Sequence, residues 1–215
     1  LKKESEMFQK AVKSPAAKGL VHFFFASRAT ASVPGITDQK LRPSEVKCVG
    51  VVGGGLMGSG IATACLLSGM EVVLKEIKPE FLQAGIQRIE ANIESMVKKG
   101  KMKPEKAKAI LGRVRGTLDD RDFANVDMVI EAVIENLNLK RKIFATLESI
   151  VKPSCILSTN TSTISIAKCA SEMRNPERLI GAHFFSPAHV MQLLEIIRVD
   201  QTPAQILVDT LAFSK

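Results

Sequence analysis

Apolar positions along this chain change their period twice. Between residues 2 and 28 they fall at Met7, Phe8, Val12, Leu20, Val21, Phe24 and Phe25 among basic residues. That is the spacing of a basic amphipathic helix, with Pro15 and Gly19 as interruptions. Ser32-Val-Pro-Gly-Ile-Thr-Asp38 reads as a turn-rich linker. This piece is too short for a core of its own and is expected to pack on something else. From Val46 onward, short β-branched runs alternate with stretches of helical spacing. Strands are expected over 47–53, 71–76, 127–132, 155–159, 179–184 and 192–198, with another inside 112–118. Helices are expected over 56–68, 79–99, 104–111, 137–151 and 202–212, the second opened by Pro79 at a favourable first position. Strands alternating with helices imply βαβ units. The expected fold is therefore α/β: a Rossmann-type, doubly wound, mainly parallel sheet over residues 46–215, preceded by a helical linker segment over 1–45.

Composition narrows the class. With 215 residues the chain is one large domain, or a domain plus a fragment, and 46% hydrophobic with 24% charged residues reads as globular and soluble. No run reaches 18 apolar residues, so no membrane span is expected, and residues 1–20 lack the pattern of a signal peptide. The chain begins with Leu1 rather than Met. Cys48, Cys65, Cys155 and Cys169 are scattered in apolar contexts, which suggests buried reduced thiols, and His and Cys show no metal-ligand spacing. The net charge is +8, and residues 98–108 hold six lysines against one glutamate. The simple reading is a solvated surface; the sharper one is a field that draws in a polyphosphate ligand. Trp and Tyr are absent and the ten Phe sit mostly in apolar runs, which argues against nucleic acid as a partner.

Val51-Val-Gly-Gly-Gly-Leu-Met-Gly-Ser-Gly60 follows the first expected strand and opens the first expected helix of the α/β domain. Gly53, Gly55 and Gly58 fit G-x-G-x-x-G: a tight turn, close approach of a pyrophosphate, and close packing of helix on strand. The cofactor-binding set read here is Gly53, Gly55, Leu56, Met57 and Gly58. Glu76 ends the second strand, 18 positions past Gly58, where a carboxylate accepts hydrogen bonds from a ribose 2′-hydroxyl and repels a 2′-phosphate. NAD is the cofactor this favours, with Lys75 and Lys78 blurring the preference.

A second cluster follows. Glu195 lies inside the apolar run Leu-Leu-Glu-Ile-Ile, and His183 stands twelve residues before it. A charge in a buried strand is costly unless paired, so the two are expected side by side on neighbouring strands. A carboxylate beside an imidazole orients the ring and selects its tautomer, which suits a general base that takes a hydroxyl proton as NAD accepts a hydride. The alternative is a structural ion pair. His22 and His189 read as structural or surface residues. The hydroxyl-rich Ser158-Thr-Asn-Thr-Ser-Thr163 follows a strand, either as a ligand-binding edge or as an N-cap cluster for the next helix. Glu131-Ala-Val-Ile-Glu-Asn-Leu-Asn-Leu-Lys140 ends another strand and brings Glu135 and Lys140 to the same edge. Two other readings remain open: an NAD-linked dehydrogenase of a small hydroxy acid, and a basic, non-enzymatic polyanion-binding module.

Taken together, 53–60, 131–136, Ser-Thr-Asn-Thr-Ser-Thr at 158–163 and His-Phe-Phe-Ser-Pro at 183–187 resemble the 3-hydroxyacyl-CoA dehydrogenase family over about residues 46–213. Within it the chain is most similar to the multifunctional proteins of fatty acid β-oxidation, in particular the plant peroxisomal ones, through Val-Val-Leu-Lys-Glu at 72–76 and the Phe-Phe-Phe-Ala-Ser-Arg run at 23–28. The resemblance implies His183 as the base, Glu195 as its partner, and Ser162 in contact with the substrate 3-hydroxyl and the nicotinamide. It implies Glu135 and Lys140 at the NAD site, Glu76 at the adenine ribose, and Lys99 and Asn92 at the CoA portion of an acyl-CoA substrate. Ser186 stands where monofunctional relatives carry asparagine, and Asn92 where they carry serine. It also implies that the chain is a fragment, without the preceding enoyl-CoA hydratase/isomerase domain and the following all-helical domain with its active-site asparagine. A peroxisomal location rests on the resemblance alone; Phe213-Ser-Lys215 is not the usual peroxisomal address.

Overall fold

The computed structural model describes residues 1–30 and 32–215; Ala31, inside the expected linker, lies outside the described residues. The chain divides into two compact units, Leu1–Arg42 and Pro43–Lys215.

The first unit holds α1 (Lys2–Val12) and α2 (Pro15–Ala29). The expected single helix is broken before Pro15, where Ser14 accepts a hydrogen bond from the Ala17 amide at 3.1 Å and caps α2. Gly19 does not interrupt: it lies within α2, since an isolated glycine lowers helix propensity without removing a hydrogen bond. Phe8, Phe23, Phe24 and Phe25 stay exposed, so these two helices build no core of their own.

The second unit is a seven-stranded sheet. Its strands are β1 (Cys48–Val52), β2 (Glu71–Lys75), β3 (Val114–Thr117), β4 (Met128–Glu131), β5 (Ile156–Thr159), β6 (Leu179–Phe184) and β7 (Leu194–Ile197). Its helices are α3 (Leu56–Leu67), α4 (Pro79–Lys98), α5 (Pro104–Leu111), α6 (Leu137–Glu148), the short α7 (Ile166–Cys169) and α8 (Ala204–Phe213). The sheet order is β3-β2-β1-β4-β5-β6-β7, parallel except for the antiparallel edge strand β7. This is the doubly wound arrangement expected from the sequence, with its switch point between β1 and β4.

The continuous apolar runs follow from burial on both faces. Val52, Val73, Val129 and Leu157 join Phe123, Phe144, Leu147, Ile166 and Cys169 in one core cluster. Val49, Val51, Val72 and Leu74 alternate with these and are equally buried, as are Ile61 and Leu66 of α3 and Ile89 and Ile93 of α4. Strand register lines up the carboxyl ends: Val52 pairs with both Lys75 and Glu131, Glu131 with Thr159, and Thr159 with Gly181. Every chemically suggestive stretch therefore emerges along one edge of the sheet. All four cysteines are free, and burial pushes the Cys65 and Cys155 thiols up to about 12. No helix of the described residues is long and apolar enough to cross a membrane.

Candidate functional site

The glycine loop has the geometry its sequence requires. Gly53 adopts φ +99°, a left-handed conformation that a side chain would strain. A Cβ on Gly58 would stand 1.8 Å from the Gly53 carbonyl oxygen, so only glycine lets α3 start this close to β1. Gly55 is the N-cap of α3, no side chain caps it, and a Cβ there would meet nothing within 4 Å. The first amides of this twelve-residue helix thus face an open space suited to a pyrophosphate. Leu56, directly after the cap, is exposed.

One carboxylate organises the hollow beside the loop. Glu76 accepts the Gly54 amide at 2.6 Å on Oε1 and the Ile77 amide at 3.1 Å on Oε2. Arg88 donates to the Gly54 carbonyl at 3.0 Å, which fixes the loop from the α4 side; the sequence reading missed it. Lys75, expected to blur the preference for NAD, is neutralised by Asp120 at 2.6 Å. The hollow, about 470 Å³, is lined by Gly53, Gly55, Glu76, Ile77, Phe81 and Ile134. Apolar walls around one ribose-seeking carboxylate suit an adenosine half.

A second hollow of about 400 Å³ is lined by Met57, Glu135, Lys140, Asn160, Ser162 and His183. Both hollows touch Ala132 and Val133, so they flank the end of β4. His183 and Glu195 are direct cross-strand partners on β6 and β7, with His183 Nδ1 2.9 Å from Glu195 Oε2. A carboxylate accepts, so Nδ1 carries a proton, and in the neutral ring the lone pair is left on Nε2. The expectation of a buried carboxylate is corrected: the Glu195 side chain is 51% exposed. β7 is an edge strand with neither face fully covered, so its apolar neighbours do not imply burial.

The buried charge sits elsewhere. Glu131, at the end of β4, is 0% exposed and Lys140 of α6 is 1% exposed. Lys140 Nζ reaches both Glu131 oxygens, at 2.7 and 2.9 Å, and Glu135 at 3.3 Å. Thr159 Oγ1 donates to Glu131 at 2.7 Å, as does the Val133 amide at 2.8 Å. Glu135 also accepts from the hydroxyls of Thr161 and Thr163. Partial burial pushes the Glu135 carboxyl up, but the Thr161 hydroxyl, the Lys140 ammonium and the Thr163 hydroxyl outweigh it and hold it below the usual range. The hydroxyls of Thr159, Thr161 and Thr163 thus face carboxylates, Ser158 donates to the Val129 carbonyl at 2.9 Å, and α7 is capped by Ser165 instead. Ser162 lies between the two threonines that hold Glu135. Asn160, also missed, accepts the Phe184 amide at 2.8 Å and ties β5 to the residue after His183. A charged residue closing an apolar strand nine positions before a lysine was the available signal for Glu131.

Asn92 and Lys99 do not line the His183 hollow. Asn92 donates to Thr63 of α3 at 3.1 Å, and Lys99 is the exposed C-cap of α4. Burial and the Lys99 charge lower the pKa of His189, whose Nδ1 is buried without a hydrogen-bond partner among the described residues. No group of acidic, His or Cys side chains among the described residues has the form of a metal site.

Comparison with known proteins accords with this geometry. The family model described as the NAD binding domain of 3-hydroxyacyl-CoA dehydrogenase matches residues 48–215. A peroxisomal fatty acid beta-oxidation multifunctional protein of Arabidopsis thaliana is 52% identical over 215 residues, all of this chain and 30% of that protein. A second from the same plant is 54% identical over 213 residues, 99% of this chain and 30% of the relative. The chain thus spans about 30% of the length of these curated relatives. Among solved structures, a 3-hydroxybutyryl-CoA dehydrogenase of Escherichia coli K12 superposes with TM-score 0.76 at 40% identity, over 80% of this chain and 36% of that one. The dehydrogenase part of a multifunctional enzyme from C. elegans gives TM-score 0.75 at 31% identity, over 85% of this chain and 42% of that one.

Proposed function

The chain belongs to the 3-hydroxyacyl-CoA dehydrogenase family through its NAD-binding domain, and from that premise we propose that its parent oxidises an L-3-hydroxyacyl-CoA to the 3-ketoacyl-CoA. The setting is fatty acid β-oxidation by a peroxisomal multifunctional protein, as the names and lengths of the plant relatives suggest. Residues 1–45 then link a hydratase/isomerase domain to the dehydrogenase, and an all-helical domain after residue 215 completes the substrate cleft.

The observation that carries this reading is the His183–Glu195 pair, 2.9 Å apart, whose His183 lines the same hollow as Ser162 and the glycine loop's Met57. His183 takes the hydroxyl proton at Nε2. Glu195 holds Nδ1–H and stabilises the imidazolium that forms. Ser162 orients the 3-hydroxyl. Glu76 holds the adenine ribose, the amides of Gly55, Leu56 and Met57 hold the pyrophosphate, and Glu135 and Lys140 line the nicotinamide end. NAD, when bound, supplies the acceptor for the 3-carbon hydride. Lys99 and Asn92 contact the CoA portion from α4.

The test is fluorescence titration of the 215-residue chain with NADH, with and without acetoacetyl-CoA, beside Glu76→Ala. Saturable binding, weakened about tenfold by Glu76→Ala, is expected, with acetoacetyl-CoA tightening it. A folded chain that binds no NADH overturns the cofactor reading. Tightening by a short hydroxy acid in place of acetoacetyl-CoA favours a CoA-independent dehydrogenase.

A further inference from the structure

Glu131 has no role in the reading above. It is a fully buried carboxylate with four donated hydrogen bonds, from Lys140 twice, Thr159 and the Val133 amide. Stability alone is a weak reason for such a pair, because well-packed apolar replacements of buried ion pairs are often as stable or more so. Its position is informative. Lys140 reaches the surface of the His183 hollow, where it also meets Glu135 at 3.3 Å. Lys140 by itself would make that wall cationic. With Glu131 behind it and Glu135 beside it, the three side chains sum to one negative charge. His183, the remaining titratable group lining the hollow, is held through Nδ1 by the Glu195 carboxylate. In a chain of net charge +8, the hollow is a locally anionic place.

We propose that Glu131 is a charge-setting residue: by cancelling Lys140 it keeps the nicotinamide end of the cleft anionic, and so shifts the ratio of the two cofactor affinities toward the oxidised form. This rests on the assignment of the His183 hollow to the nicotinamide. The oxidised ring carries a positive charge and the reduced ring none, while the rest of the dinucleotide is the same. A fixed charge in the wall therefore acts on the ratio of the two affinities. A unit charge roughly 10 Å away, at an effective dielectric of about 20, changes that ratio about tenfold. A residue that only braced the fold would weaken both forms alike.

The experiment measures dissociation constants of the 215-residue chain for NAD⁺ and NADH, by NADH fluorescence and competition. Glu131→Gln removes one negative charge with little change of shape, and should raise the ratio of the NAD⁺ constant to the NADH constant about tenfold. Glu131→Asp keeps the charge and should keep the ratio. The double variant Glu131→Gln/Lys140→Gln removes a neutral pair and should return the ratio toward wild type, even where both affinities fall. If Glu131→Gln does not fold, the double variant is compared with Glu135→Gln: the former should leave the ratio in place and the latter shift it about tenfold. Two folded variants of different net charge with the same ratio overturn the proposal. A wild-type chain that binds neither form overturns it together with the cofactor reading, whereas binding of both with an unmoved ratio overturns the inference alone.

Discussion

The hollow at Glu76 and the hollow at His183 flank the same strand end and are built by different means. The first is made by backbone. Gly53 supplies a left-handed turn, Gly58 supplies close packing, and the Gly54 amide is clamped to Glu76 at 2.6 Å. Its glycine loop, its carboxylate and Phe81 come from one βαβ segment and the helix after it, and only apolar residues after β4 and on α6 complete its lining. The second is made by side chains from β4, α6, β5, β6 and β7 that meet only when the sheet is assembled. Tolerance of substitution should therefore differ. In the first, one added methyl group is damaging; in the second, chemistry matters more than volume.

The largest expected effect lies in the second hollow. His183→Gln in the full-length parent should lower turnover about 10²–10⁴-fold while NADH binding persists; near-normal turnover would move the base elsewhere. Gly58→Ala comes next. The new methyl meets the Gly53 carbonyl at 1.8 Å, so strain of about 3 kcal/mol should appear in urea melts, with weaker NADH binding. An unchanged midpoint would mean that the loop relaxes freely, and the contrast between the hollows would fail. Asn160→Ala leaves the Phe184 amide without its acceptor. It should cost about 1–2 kcal/mol and lower turnover more than NADH affinity; equal losses would give Asn160 a merely structural role.

The smallest effect lies outside both hollows and calibrates them. Asp127 accepts the Lys47 and Cys48 amides at 2.8 and 2.9 Å and pairs with Lys152 at 2.5 Å. Partial burial pushes its carboxyl up, but the Lys152 ammonium and the two amides outweigh it and hold it below the usual range. A depressed carboxylate stabilises the fold above its unfolded value of about 3.9, and that contribution is lost as pH falls through the folded value. Asp127→Asn should lower the melting temperature at pH 7, and the gap from wild type should close below about pH 4. A gap independent of pH would assign the loss to packing.

The contrast also explains what was legible in the sequence. The doubly wound, mainly parallel fold follows from alternating periods and the glycine loop, because a turn, a phosphate approach and a helix start are local demands on consecutive residues. His183 and Glu195 were legible because a short loop fixes their register. Glu131 shows no role in the sequence, since its partners come from residues 9 and 28 positions away on α6 and β5. Burial was assigned to Glu195 instead, because period and hydrophobicity do not say whether a strand lies at an edge. The 158–163 hydroxyls were equally ambiguous: a threonine before a helix is a cap or a carboxylate donor depending on what packs beside it.

The edge position of β7 has a dynamic consequence. It pairs through β6 alone and is antiparallel, whereas β1 and β4 are held on both sides at the centre of the sheet. Amides exchange fastest where backbone hydrogen bonds open without global unfolding. Hydrogen exchange should thus grade from slow at Val51 and Ile130 to fast at Glu195 and Ile197. The carboxylate that orients His183 then rides on a strand held from one side only, and the lifetime of the oriented imidazole is bounded by how often that strand lifts.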